Sequence, residues 1–181
     1  MVSRNRIRGT AKLTKKKTGD HVITPMAVRL SAVENLERVV ETLSRPGGFA
    51  KLTSEQRKFM LGVALAAVVP ADLKIRHAEV GHLQKLIQSR LLCPASMSED
   101  ILSLACSKPQ PARITETLAK ALPELLGAQD MINMVGQLWE LAIIDHDLHA
   151  DEERLVYRVA DIAGVPRKRV ADQLARAQTR V

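Results

Sequence analysis

The sequence predicts an all-α domain, a compact bundle of about seven to eight helices with an internal pseudo-twofold repeat. Three observations predict it. Aromatic residues make up 2% of the chain and strand formers are sparse, whereas Leu, Ala, Val, Glu, Lys and Arg dominate, which favours helix. Apolar residues recur at three-to-four spacing through most of the chain. One pattern also occurs twice, 73 residues apart: Asp72-Leu73-Lys74-Ile75-Arg76-His77-Ala78-Glu79 returns as Asp145-His146-Asp147-Leu148-His149-Ala150-Asp151-Glu152. In each copy an Asp precedes a Glu by seven residues, and an aliphatic residue, Ile75 or Leu148, follows the Asp by three. The flanks keep the offset, Gln56 falling on Gln129, Leu65 on Leu138 and Leu83 on Val156. Helix, acidic corner, helix is one unit used twice, each copy burying the other's apolar face.

Residues 1–24 carry Arg4, Arg6, Arg8, Lys12, Lys15, Lys16 and Lys17 against Asp20, so +6 of the net +7 sits here and the body is nearly neutral. Few large apolar residues accompany these charges, so the segment is expected to be a disordered basic tail preceding a helical domain over 25–181. Pro25 suits a first helical turn, and Val28, Ala32, Val33, Leu36, Val39, Val40 and Leu43 form its stripe, ended by Arg45-Pro46-Gly47-Gly48. Repeat one spans about 53–92. It opens with Thr53 and Gln56 as a capping box, and Phe59 to Val69 is apolar nearly all round, the mark of a central helix. After the first corner, Val80, Leu83, Leu86, Ile87 and Leu91 form the next stripe. Residues 93–112 hold Pro94, Pro109 and Pro111 and are expected to be a linker with one short helix from Ser98 to Cys106. A helix with Ile114, Leu118, Leu122 and Leu125 follows, stopping near Gly127. Repeat two, about 126–165, holds the apolar run Met131 to Ile144 with Trp139 in the core, then a helix from Ala150 to Ala163 ended by Gly164. A basic helix from Pro166 closes the chain, and no strand is predicted.

Cys93 and Cys106 lack the short paired spacing of a zinc site and read as small apolar fillers in a reducing compartment. Phe59 to Val69 is shorter than the roughly 20 residues a bilayer span needs, and no secretory signal is evident, so a cytoplasmic protein without a transmembrane segment is expected. No nucleophile elbow or glycine-rich phosphate loop appears, so no enzymatic activity is expected. His82 reads as a partly buried histidine with a backbone partner.

The acidic corners admit two readings. In one, Glu79 and Glu152 stand at the third position of a helix and accept from the cap N–H, worth about 0.3–1 kcal/mol, while Asp72 and Asp145 hold the turns. In the other, they also bind a divalent cation. Asp145, His146, Asp147, His149, Asp151, Glu152 and Glu153 place seven potential ligands within nine residues, without the order of an EF-hand loop. Lys74 and Arg76 oppose a cation at the first corner. A metal would therefore sit at the second corner, or between carboxylates of both, with Asp145, Glu152, His149, Asp72 and Glu79 as the candidate ligands.

Leu138-Trp139-Glu140-Leu141-Ala142-Ile143-Ile144-Asp145, Leu148, Glu152-Glu153 and Val159-Ala160-Asp161-Ile162-Ala163-Gly164-Val165 closely resemble the signature of the TerB-like family, named for tellurite resistance. Its helical fold is shared with the N-terminal domain of DjlA-type co-chaperones. The resemblance covers residues 50–178, is strongest over 135–166, and extends faintly to the first copy. It implies a pseudo-twofold helical bundle acting through protein partners in a bacterial stress or metal-oxyanion response, with cation binding at the acidic corners. His146 and Leu73 stand where the family pattern has Gly, so these turns lack that residue's freedom at positive φ.

A non-enzymatic binding module with a protein partner is thus the leading expectation. The alternative is a nucleic-acid or anionic-membrane-surface adaptor working through residues 1–20, by phosphate or lipid contacts without aromatic stacking.

Overall fold

The computed structural model describes residues 22–23 and 28–180. Among these the chain forms nine α-helices, one or two more than expected. The tail expected over 1–24 lies outside the described residues except for Val22 and Ile23, and the proposed helix start at Pro25 lies outside them too. Val22–Ile23 form β1, which pairs antiparallel with β2 (Ile75–Arg76), Val22 opposite Arg76 and Ile23 opposite Ile75. This two-residue ladder corrects the expectation of no strand. Its partner lies some fifty residues away, beyond the reach of local periodicity.

Helix α1 (Leu30–Leu43) buries Ala32, Leu36, Val39 and Val40, as its stripe predicts, while Val28 and Arg29 before it are not helical. The Pro46-Gly47 turn does not end in loop. With Gly47 at φ 63°, it feeds a single-turn helix α2 (Gly48–Lys51). Helix α3 (Ser54–Ala66) opens with the predicted capping box: Gln56 N–H donates to Thr53 Oγ1 at 3.1 Å and Thr53 N–H to Gln56 Oε1 at 2.9 Å. Helix α4 (His77–Leu86) runs into a π-type turn over Ile87–Leu91.

The short helix expected from Ser98 to Cys106 is α5 (Ala95–Ala105), which starts three residues earlier than expected, sends Ile101, Leu104 and Ala105 into the core and packs on α3 and α1. Pro94 stands at its N-cap and Pro111 at that of α6 (Ala112–Leu125), so these prolines mark helix starts, where a missing N–H costs nothing, and not a long loop.

Helix α7 (Ala128–Ile143) is the counterpart of α3. It buries Trp139, whose indole N–H donates to the Val170 carbonyl at 3.1 Å and whose ring meets Tyr157 edge-on at 5.6 Å. Helix α8 (Ala150–Ile162) ends at Gly164, φ 74°, and α9 (Arg167–Gln178) lies along α7. One continuous core runs through both repeats, with α3 and α7 at its centre. Among the described residues no helix is long and apolar enough to cross a membrane.

Candidate functional site

The α3–α4 and α7–α8 connections are built alike. Asp72 Oδ1 accepts the Lys74 N–H at 2.8 Å, and Asp145 Oδ1 accepts that of Asp147 at 3.1 Å. These side-chain bonds span the intervening residue and hold it left-handed, Leu73 at φ 66° and His146 at φ 67°. The turns therefore take a glycine-like geometry without glycine, at a cost of about 1–2 kcal/mol each. Ile75, fully buried, and Leu148, half-buried, then tie each corner to the core. Arg76 and His149 are the N-caps of α4 and α8. Glu79 Oε2 accepts the Arg76 N–H at 3.1 Å, and Glu152 Oε2 accepts the His149 N–H at 3.0 Å. Both glutamates thus satisfy donors that the helix itself leaves free.

The two corners meet, and Arg76 joins them. Its guanidinium nitrogens lie 2.6 Å from Asp145 Oδ2, 3.0 Å from Asp72 Oδ2, 3.3 Å from Glu79 Oε1 and 4.0 Å from Glu152 Oε1. Arg76 Nη2 is also 3.0 Å from His149 Nε2, its equivalent in the second repeat, and 3.9 Å from the exposed carboxylate of Asp147. His149 Nε2 has Asp147 Oδ2 at 3.2 Å and Asp72 Oδ2 at 3.4 Å. All five residues predicted as ligands from the sequence, Asp72, Glu79, Asp145, His149 and Glu152, are therefore brought together. His146, Asp151 and Glu153 are not. His146 is exposed on the corner, and Asp151 is exposed and bonded to Arg154. Arg76 is the member that sequence reasoning placed only as an opponent of a cation. Its alignment with His149 is the signal that sets it at the axis.

Four carboxylates with side chains 4% exposed or less face one guanidinium. Burial opposes the charge on Arg76, but Asp145, Asp72 and Glu79 more than offset this and raise its pKa. Burial pushes the Glu79 carboxyl up to about 8 and that of Glu152 up to about 7, against the cap N–H groups that pull each down. Asp72 shares a side-chain hydrogen bond with Arg76, and the Glu79 and Glu152 carboxyls bond each other, which pulls the Glu152 value down against its burial. Among the described residues no group of three or more His, Cys, Asp or Glu is arranged to hold a metal ion. The space between the corners is taken by the guanidinium.

Elsewhere, Cys93 and Cys106 are free thiols that burial pushes up, so neither is an activated nucleophile. His82, expected to bond a backbone group, instead has Glu140 of α7 at 3.7 Å, because α4 packs there on α7. An open groove of about 990 Å³ lies between α6, α8 and α9. Tyr157 lines it with Lys120, Arg154, Arg158, Arg167 and Lys168, which outnumber Glu116, Glu153 and Asp161. Arg158 is paired with Glu116 and Arg167 with Asp161, whereas Lys120 and Lys168 have no acidic partner among the described residues.

A family model described as tellurite resistance protein TerB matches residues 59–175, well over half of the chain, from within α3 to within α9. Comparison with curated proteins and with solved structures gave no match.

Proposed function

The chain belongs to the TerB family, and from that premise we propose that it is a non-enzymatic helical binding module serving a bacterial stress or metal-oxyanion response. One observation carries the reading: the acidic residues that single out the corners are turned inward. A carboxylate sealed from solvent cannot exchange a proton with an external substrate, and those of Asp72, Glu79, Asp145 and Glu152 are spent on Arg76 and on helix caps. They set the angle between the repeats, and the groove of α6, α8 and α9 is left as the working surface. Its unpaired Lys120 and Lys168 favour an acidic face on a protein partner, with Tyr157 as the apolar anchor.

Cross-linking of the intact chain in its native cells, followed by reconstitution with the purified partner, tests this. The charge reversals Lys120→Glu and Lys168→Glu together are expected to weaken the complex at least tenfold, and removal of residues 1–21 to leave it intact. Binding lost on that truncation, with the helical spectrum unchanged, replaces this reading with a tail-based adaptor for nucleic acid or anionic membrane.

A further inference from the structure

We infer that the Arg76 guanidinium is a built-in organic cation standing where the family resemblance would put a divalent ion, so that this chain closes its two corners without metal. A hard divalent ion needs six or more oxygens at about 2.0–2.6 Å converging on a point. The corner oxygens are instead spread about a planar fork, 2.6 to 4.0 Å from three different nitrogens of Arg76. The side chain that carries the charge is fixed at its root. Arg76 is the N-cap of α4, its N–H is bonded to Glu79, and its backbone pairs with Val22. Its tip meets the residue related to it by the repeat, so the charge sits close to the pseudo-twofold axis, where it faces both copies. A guanidinium is permanently charged and weakly hydrated, which suits a dry site better than an ammonium does.

The same geometry says what happens when the fork is withdrawn. Without Arg76, the carboxyls of Asp72, Glu79, Asp145 and Glu152 are left facing one another in one buried acidic space. That space has the chemistry of a hard-cation site, which the wild-type chain keeps closed by its own side chain.

Calorimetric titration of the full-length protein with Ca²⁺, Mg²⁺ and Mn²⁺ after chelator treatment, together with melting curves, is the test. The wild-type chain is expected to take up no equivalent of any of these ions and to melt unchanged with or without them. Arg76→Ala is expected to melt lower and to recover on adding millimolar Ca²⁺ or Mn²⁺, or millimolar free guanidinium. Arg76→Ala with Asp145→Asn, which removes one of the charges left unpaired, is expected to melt above Arg76→Ala alone and covers the case in which the single variant does not fold. Stoichiometric uptake of a divalent ion by the wild-type chain overturns the inference. So does an Arg76→Ala chain that melts like wild type without any cation, or one that no cation and no second-site change restores.

Discussion

Arg76 Nη2 and His149 Nε2 lie 3.0 Å apart although the residues are 73 positions apart in sequence and hold the same place in the two repeats. This contact marks where the two corners meet, and around it stand Asp72 with Asp145 and Glu79 with Glu152.

Those two glutamates predict how stability depends on pH. Each carboxyl titrates above its ordinary 4.5 when folded, near 8 for Glu79 and 7 for Glu152, so the fold binds more protons than the unfolded chain between those limits. The stabilisation is complete below about pH 4.5 and is lost as pH rises towards 8. Glu152→Gln keeps the cap acceptor and removes the ionisation, so it should flatten this fall and leave the protein more stable at pH 8 by something on the order of 2 kcal/mol. Urea unfolding at several pH values measures it. A variant whose stability falls as steeply as the parent's would contradict the assignment.

Leu73 and His146 predict a gain. Both are non-glycine residues at φ near 66–67° and both are exposed, so glycine removes a steric cost without opening the core. Leu73→Gly and His146→Gly should each stabilise by about 1 kcal/mol, the relief outweighing glycine's greater unfolded-state entropy. A lowered melting temperature for both would show that the side chains hold the corner in some other way.

Trp139→Phe should destabilise by about 2 kcal/mol. The change strips the Val170 carbonyl of its indole donor and leaves a space where the larger ring joined α7 to α9. Chemical denaturation with an unchanged dependence on urea is the expected result, and a neutral substitution would mean that α9 re-seats.

Glycines 62 and 81 should respond in opposite senses. A Cβ on Gly62 would fall 2.4 Å from Ile101 Cδ1 of α5, whereas one on Gly81 meets nothing within 4 Å. Gly81→Ala should therefore stabilise α4 by about 1 kcal/mol through helix propensity. Gly62→Ala should cost about 1–3 kcal/mol by overpacking. Melting the two side by side decides it, and equal effects would disprove the close approach of α3 to α5.

Much of this was legible in the residues. The 73-residue offset carried both corners and their caps, and it offered the meeting of the two corners as one of two readings, the one that the contact between Arg76 and His149 now favours. What stands between them was not legible. Within its own copy Arg76 is merely a cation among acids, and only the fold turns it towards Asp145. Leu73 and His146 hid their backbone conformation because the preceding aspartates do the work ordinarily left to glycine. The helix α5 was legible, but its start was placed three residues late, because Pro94 at a helix start and proline in a loop look alike in sequence. Lys74 and Asp147, aligned in the repeats, carry opposite charge, and only Asp147 reaches the centre.

The two corners meet around a single guanidinium. A chain made of two first halves would press one guanidinium against another across the seam. A chain made of two second halves would leave the acids there with imidazoles and no permanent positive charge. The two copies are therefore not equivalent at this position: Arg76 brings a charge that stays positive at every working pH, and His149 of the other copy stands against it.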